Sequence, residues 1–369
     1  MNIASVTAAE TITNLGHWDA VIDARSPAEF AQDHLPGALN WPVLDDAERH
    51  TVGTMYKQVS AFEARKLGAT LVARRIAGHI EREMGPLQRE WRPLVYCWRG
   101  GQRSGSLALV LAQIGFRTAQ LSGGYRAFRA VIRSELETLP QTHRYVVLCG
   151  RTGSGKTRLL QALAAQGAQV LDLEALACHR GSILGALPGT PQPTQKRLDT
   201  LVWQALRGFD PARPVFVESE SARIGVLRVP PELLVEMRER GRCIRVETRA
   251  AARKQLLMED YAELISDAPA FNHLLLGLVD LRGRAAVEHW QQLASTGRWP
   301  EVIAELMAQH YDPLYERSMQ RSFASLATAH IVTLEATGSA ALAAAAEQLL
   351  ASTHVQTTVA TEISTGGKA

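Results

Sequence analysis

The sequence predicts an α/β fold built twice over. Short apolar runs alternate with longer helical stretches, the pattern of a parallel sheet with crossover helices. That alternation halts at Leu139-Pro140-Gln141-Thr142-His143 and restarts at Tyr145. With 369 residues, the chain is long enough for two domains.

The elements follow in order. Val21-Ile22-Asp23-Ala24 reads as a buried strand with a polar end. Ser26-Pro27-Ala28-Glu29 starts a helix, with Pro at the first helical position and an acid in the first turn. His34-Leu35-Pro36-Gly37-Ala38 is a loop leading to a strand near Leu39. Ala61 to Met84 has helical spacing. Leu94 to Tyr96 is a strand, Gly105 to Gly115 a helix, Thr118 to Leu121 a strand and Tyr125 to Glu137 a closing helix. The second set opens with the strand Tyr145 to Leu148 and a helix over Lys156–Gln166. The strands Val170–Asp172, Pro214–Glu218 and Cys243–Val246 follow. The remainder to about Leu350 reads as mostly helical, with an Ala-rich helix former over Ala340–Ala346. The expected division is one domain over 1–138, a linker over 139–143, a second domain over 144–352, and a disordered Thr/Gly-rich tail over 353–369.

Composition narrows the function classes. Hydrophobic content is 46%, enough for ordinary cores, and the formal charge of +3 neither requires nor excludes nucleic acid. The four cysteines, Cys97, Cys149, Cys178 and Cys243, show no CxxC pair and no metal-ligand spacing. They read as reduced thiols in the cytoplasm; Cys178 and Cys243 read as structural. Met1 to Asn14 is polar and unlike a signal peptide. No apolar run approaches the roughly 18–20 residues a membrane span needs. The chain is expected to be a monomer.

Two loops carry chemistry. Cys97-Trp98-Arg99-Gly100-Gly101-Gln102-Arg103-Ser104 leaves a strand and enters a helix. Converging backbone N–H groups and the positive helix end favour an ionised sulfur and an anion beside it. Cys97 is the candidate nucleophile, with Arg99 and Arg103 as its anion-binding partners. Gly150-Arg151-Thr152-Gly153-Ser154-Gly155-Lys156-Thr157 fits the phosphate-binding pattern GxxxxGK[ST] between a strand and a helix. Gly150, Gly153 and Gly155 let backbone N–H groups approach phosphate oxygens, Lys156 reaches the outer phosphates, and Thr157 is a candidate magnesium ligand.

Further candidates cluster past strand ends, where α/β sites form. Glu218 follows Val215-Phe216-Val217 and is a second candidate magnesium ligand. Asp172, Glu174, His179 and Arg180 follow the second strand of this domain and are candidate partners of the phosphate site. Arg238, Arg240, Arg242, Arg245, Arg249, Arg253 and Lys254 form the densest basic run, a candidate RNA-backbone track; a solvated face laced with salt bridges is the alternative.

Three separated motifs resemble the rhodanese family. They are Asp23 to Phe30 with His34 to Asn40, the Cys97 loop, and Leu121-Ser122-Gly123-Gly124-Tyr125-Arg126-Ala127-Phe128. Five residues separate Cys97 from Arg103. Sulfurtransferases of this fold usually have one fewer; the longer spacing is that of related phosphatases and arsenate reductases, although Tyr96 replaces their usual His. The wider loop suits a bulkier anion. A rhodanese-like parallel domain followed by a P-loop NTPase-like domain with a helical C-terminal part resembles the bacterial tRNA 2-selenouridine synthases over about residues 5–350. Gln102 stands where that family often has Met.

This resemblance implies action on wobble 2-thiouridine of tRNA. Sulfur would be alkylated by geranyl diphosphate and then replaced by selenium from selenophosphate. It implies no tightly bound cofactor, magnesium as a candidate ion, tRNA as partner, and a link to a selenophosphate-producing enzyme. Two other readings stand beside it: a sulfurtransferase or sulfur carrier with an NTP-using domain, and a nucleotide-gated RNA-binding protein.

Overall fold

The computed structural model describes residues 3–182, 185–187 and 189–365, the side chains of 263–264 and 353–365 excepted. The chain forms two compact units. The first contains Met1–Glu137 and Thr194–Gln204; the second contains Thr138–Pro193 and Ala205–Ala369. Residues 194–204 therefore pack away from the sequence neighbours with which they had been grouped. The expected linker 139–143 holds a short 3-10 turn, Leu139–Thr142. The tail 353–369 lies outside the residues whose side chains are described.

Unit one is built on the strands β1 Ala4–Val6, β2 Ala20–Asp23, β3 Ala38–Asn40, β4 Pro93–Tyr96 and β5 Ala119–Leu121. Their order is β1-β5-β4-β2-β3, and every pairing is parallel. The central strand β4 is wholly buried, as its continuous apolar run requires. Its Val95 joins Ile22, Trp41, Leu107 and Leu111 in one core. β1, the helix Ala8–Thr13 and the helix Asp46–Gln58 were not anticipated. Both helices carry reciprocal capping boxes, Thr7 with Glu10 and Asp45 with Glu48.

Residues 194–204 join unit one through buried polar groups. Asp33 Oδ2 accepts from the Tyr125 hydroxyl at 2.8 Å and from the Thr200 hydroxyl at 2.9 Å. Arg129 donates to Thr200 Oγ1 and Asp199 Oδ2. Trp203 packs edge-on against Phe128.

Unit two holds β6 Tyr145–Cys149, β7 Gln169–Leu171, β8 Val215–Glu218, a small hairpin of β9 Arg223–Ile224 and β10 Leu227–Arg228, β11 Arg242–Thr248 and β12 His330–Leu334. The large sheet runs β12-β11-β6-β8-β7, again entirely parallel. The remainder is mostly helical, as expected, with β12 as a strand within it. As an edge strand, buried only at Leu334, it lacks the continuous apolar signature of a central strand. The Ala-rich segment is helical, within Ser339–Thr365, and sets Leu342, Ala346 and Leu349 against the sheet. A separate, helical cluster gathers Phe271, Leu275, Trp290, Val302 and Leu306.

The turn after β5 is the tightest point of unit one. Gly124 has φ +57, and a β-carbon there would overlap the Cys97 carbonyl oxygen. Gly37 has φ +69 with open space around it. Gly37→Ala should therefore cost only the left-handed strain, roughly 1–2 kcal/mol. Gly124→Ala should cost roughly 3 kcal/mol or more, because backbone must also move. Urea midpoints of the two variants measure the gap; equal losses would show that the loop yields freely.

Candidate active sites

In each unit the reactive loop follows the middle strand of a five-stranded parallel sheet. Cys97 leaves β4 and is buried, with its carbonyl accepting from the Tyr125 N–H at 2.9 Å. The Trp98 carbonyl accepts from the Arg126 N–H. These bonds dock the loop on the 121–126 turn, where Gly100 (φ +67) has no room for a β-carbon beside the Leu121 carbonyl. Gly101 caps the helix Gln102–Ile114, whose first-turn N–H groups lack intrahelical partners. Ser104 donates its hydroxyl to Cys97 Sγ at 3.1 Å, and Gln120 Nε2 donates to Ser104 Oγ and the Gly100 carbonyl, both at 2.8 Å.

The two loop arginines differ. Arg99 is exposed. Arg103 donates to Glu29 Oε2 at 2.6 Å. Burial pushes the Glu29 carboxyl up, but the Arg103 guanidinium outweighs it and holds the group below its usual value. The same Glu29 accepts from the Ser26 N–H at the start of the helix Pro27–Gln32. Arg25 is fully buried, bonded to Asp23 and the Asp33 carbonyl, with its guanidinium 3.9 Å from the Tyr125 ring centre. Trp98 forms an exposed wall of the loop, 5.4 Å from Tyr125, with Lys196 Nζ 5.8 Å from its ring centre. Ser104 was read as part of the loop but given no role; Arg25 and Lys196 were missed, because only the three-dimensional packing sets them against Tyr125 and Trp98.

The phosphate loop leaves β6 and enters the helix Lys156–Ala165. Gly153 and Gly155 adopt φ +71 and +80, and a β-carbon on Gly150 would lie 2.7 Å from the Val246 carbonyl oxygen. Two neighbours prop the loop: Thr248 donates to the Ser154 carbonyl, and Arg253 Nε donates to the Thr152 carbonyl, both at 2.7 Å. Lys156 is buried, its ammonium donating to the Gly150 and Arg151 carbonyls at 3.0 and 3.2 Å. A cavity of about 250 Å³ opens on the loop, lined also by Glu174, Arg180, Glu218, Tyr261 and Tyr315.

Three of the five predicted partners thus reach the loop: Glu174, Arg180 and Glu218. Asp172 instead caps the helix Leu173–Leu176, accepting from the Ala175 N–H at 2.8 Å. His179 is buried, and its Nδ1 accepts from the Gly181 N–H, so it holds its own turn. Glu220, in the polar loop over 218–225 that sequence reading placed beside this site without giving it a role, joins Glu174 and Glu218: its carboxylate lies within 4.8 Å of theirs. Burial first, and then its anionic neighbours, push Glu174 up to about 9 and Glu220 up to about 8. Burial also raises Glu218.

The comparisons agree with the two loops. A rhodanese-like domain model matches residues 7–131, and a tRNA 2-selenouridine synthase AAA domain model matches 143–273. The chain is 34% identical to the tRNA 2-selenouridine synthase of Alcanivorax borkumensis, over 82% of this chain and 90% of that protein. It is 33% identical to that of Hydrogenovibrio crunogenus, over 82% and 89%, and 35% identical to that of Nitrosomonas europaea, over 65% and 63%. The chain belongs to the tRNA 2-selenouridine synthase family. As a member it is an enzyme, and among the described residues no helix is long and apolar enough to cross a membrane.

The family assignment leaves the basic run to be judged on geometry. Arg253 is 5% exposed and bonded to Thr152 and Asp312, so it is a strut of the phosphate loop and not an RNA contact. Arg240 pairs with Glu236, Arg245 with Glu247 and Arg249 with Glu335. Arg238 reaches toward the Glu220 carbonyl at 3.4 Å. Arg238, Arg245 and Arg253 line a second cavity of about 930 Å³, together with Arg151, Arg321, Glu239, Glu247 and Glu316. Charge of both signs lines that cavity, which removes the picture of one uninterrupted basic track.

Two tests follow. Ser104→Ala removes the donor on Cys97 Sγ and should slow alkylation of Cys97 by iodoacetamide several-fold; peptide mass spectrometry reads the rate, and an unchanged rate would assign Ser104 to packing alone. The carboxyl groups of Glu174 and Glu220 hold protons in the folded state that they release near 4.5 when unfolded. Folded protein then binds more protons, so their contribution to stability is full below about 4.5 and drains as pH rises toward 8–9. In chelator, urea midpoints should fall between pH 5.5 and 8.5, and Glu220→Gln should flatten that fall.

Proposed function

We propose that this enzyme replaces the sulfur of wobble 2-thiouridine in tRNA with selenium. The first step transfers a geranyl group: the thiouridine sulfur attacks the carbon bearing diphosphate, a C–S bond forms, and the C–O bond to diphosphate breaks. The leaving charge suits the phosphate loop, whose N–H groups and Lys156 ammonium stabilise an anion. In the second step the selenium of selenophosphate attacks the carbon bearing the geranylated sulfur, a C–Se bond forms and the C–S bond breaks to release geranyl thiol; water then takes the phosphoryl group as the P–Se bond breaks, leaving 2-selenouridine and phosphate. The anionic selenium donor suits the Cys97 loop, where unpaired N–H groups, the exposed Arg99 and the positive end of a helix meet a sulfur nucleophile. Magnesium, where it is bound, would neutralise phosphate charge beside Thr157 and Glu218. A selenophosphate-producing enzyme is the expected supplier.

The observation that carries this reading is the pairing of an intact phosphate loop with a cysteine loop wider than that of a plain sulfurtransferase. Neither proposed step consumes a nucleotide. Mass spectrometry of tRNA nucleosides is the test. Cys97→Ser should abolish 2-selenouridine and allow the geranylated intermediate to accumulate, while Lys156→Ala should lose geranylation with purified donor and tRNA. Normal 2-selenouridine in a folded Cys97→Ser protein would sink the cysteine assignment. Normal geranylation by Lys156→Ala would move the diphosphate elsewhere.

A further inference from the structure

We propose that Glu174, Glu218 and Glu220 form a divalent-cation site that the protein fills before any phosphate-bearing ligand arrives. The carboxylate oxygens of the three residues lie within 4.8 Å of one another. Glu218 and Glu220 are buried, 3% and 8% exposed, and Glu218 Oε1 has no hydrogen-bond partner among the described residues. Three carboxylates gathered at a largely buried point need protons or a cation, because the Lys156 ammonium and the Thr157 hydroxyl offset their mutual repulsion and desolvation only in part.

The nearest protein cations answer that need only in part: Lys156 favours the three charges without pairing directly with any of them among the described residues. Lys156 spends its ammonium on two loop carbonyls. Arg180 lies over the Tyr261 ring, 5.4 Å from its centre. No ion pair to any of the three glutamates is found among the described residues. The backbone also leaves the cluster open on one side. Gly181, at φ +66, faces it, and a β-carbon there would lie 2.5 Å from Glu174 Oε1 and 3.3 Å from Glu220 Oε2. The phosphate-loop cavity reaches Glu174 and Glu218, which gives an ion a path in and room to keep water.

The donor set selects the ion class. All three donors are anionic oxygens, with no nitrogen or sulfur, which suits a hard cation such as Mg²⁺ or Mn²⁺. This site differs from the one expected of Thr157 and Glu218 alone: it includes Glu220, which does not line the phosphate cavity, and it requires no bound phosphate. It is independent of the prenyl-donor reading and stands whichever phosphate ligand the loop takes.

Manganese is the probe. The full chain is stripped with chelator, desalted into phosphate-free buffer and titrated with Mn²⁺, free ion being read by electron paramagnetic resonance. One Mn²⁺ per chain should bind, and excess Mg²⁺ should displace it. Glu220→Gln should weaken binding by roughly ten-fold or more. Lys156→Ala should bind Mn²⁺ as well or better, because it removes a positive charge while crippling the phosphate cradle. If Glu220→Gln does not fold by circular dichroism, the half-buried Glu174→Gln carries the same expectation. Mn²⁺ binding that appears only when pyrophosphate is added overturns the proposal. So does wild-type affinity in the folded glutamine variant.

Discussion

Both reactive loops depend on backbone approaching backbone where no side chain fits. Gly100 and Gly124 let the Cys97 loop lie directly on the turn after β5. Gly150 does the same for the phosphate loop against the end of β11. In each case the close approach fixes where the following helix begins. The helix start in turn decides where the unpaired N–H groups lie. The sulfur site and the phosphate site are thus two uses of one constraint: a central parallel strand that ends against a neighbouring loop with no β-carbon between them.

The two sites balance their charges differently. Around Cys97 the charges are largely matched inside unit one: Arg25 with Asp23, Arg103 with Glu29. An incoming anion therefore meets Arg99 and backbone dipoles without first breaking a buried ion pair. Around the phosphate loop the arginines are paired, Arg151 and Arg253 with Asp312 and Arg158 with Asp260, but Lys156 and the glutamates are not. Lys156 folds back on its own loop, while three glutamates crowd together nearby. On the proposed reading, an anion on the loop would give Lys156 a charge partner and a cation would relieve the acids.

Much of this was legible in the chain. The strands bearing Cys97 and Gly150 are continuous apolar runs, and their loops carry Gly, Arg and Lys at spacings that suit anion chemistry. Glu174, Arg180 and Glu218 were legible because they follow strand ends, where side chains converge. Asp172 and His179 occupy the same kind of position yet serve local turns. An acid just before a helix caps it as readily as it binds a ligand, and the spacing is the same for both. Glu220 was legible only as part of a polar loop beside the site, because beyond the end of β8 the two-residue alternation of a strand no longer says which way a side chain points. β12 escaped because an edge strand need not be apolar throughout. The 194–204 segment escaped because its partners, Asp33, Phe128 and Arg129, lie far back in the chain and leave no local signal.

The basic run from Arg238 to Lys254 shows why charge density along a chain is a poor guide to charge density on a surface. The run crosses the end of one helical segment, the strand β11 and the start of the helix Ala250–Asp260. A strand turns successive side chains to opposite faces, and a helix turns them by about 100° per residue. Seven basic residues therefore scatter among several directions. Arg240, Arg245 and Arg249 meet acids, Glu236, Glu247 and Glu335, and Arg253 is drawn inward to Asp312 and the Thr152 carbonyl. An RNA-binding face, by contrast, needs cations from separate elements turned the same way and left unpaired. The inward turn of Arg253 shows what the run does at least in part: it ties the phosphate loop to the helix that follows β11, so that substrate charge is met by a loop already held in place.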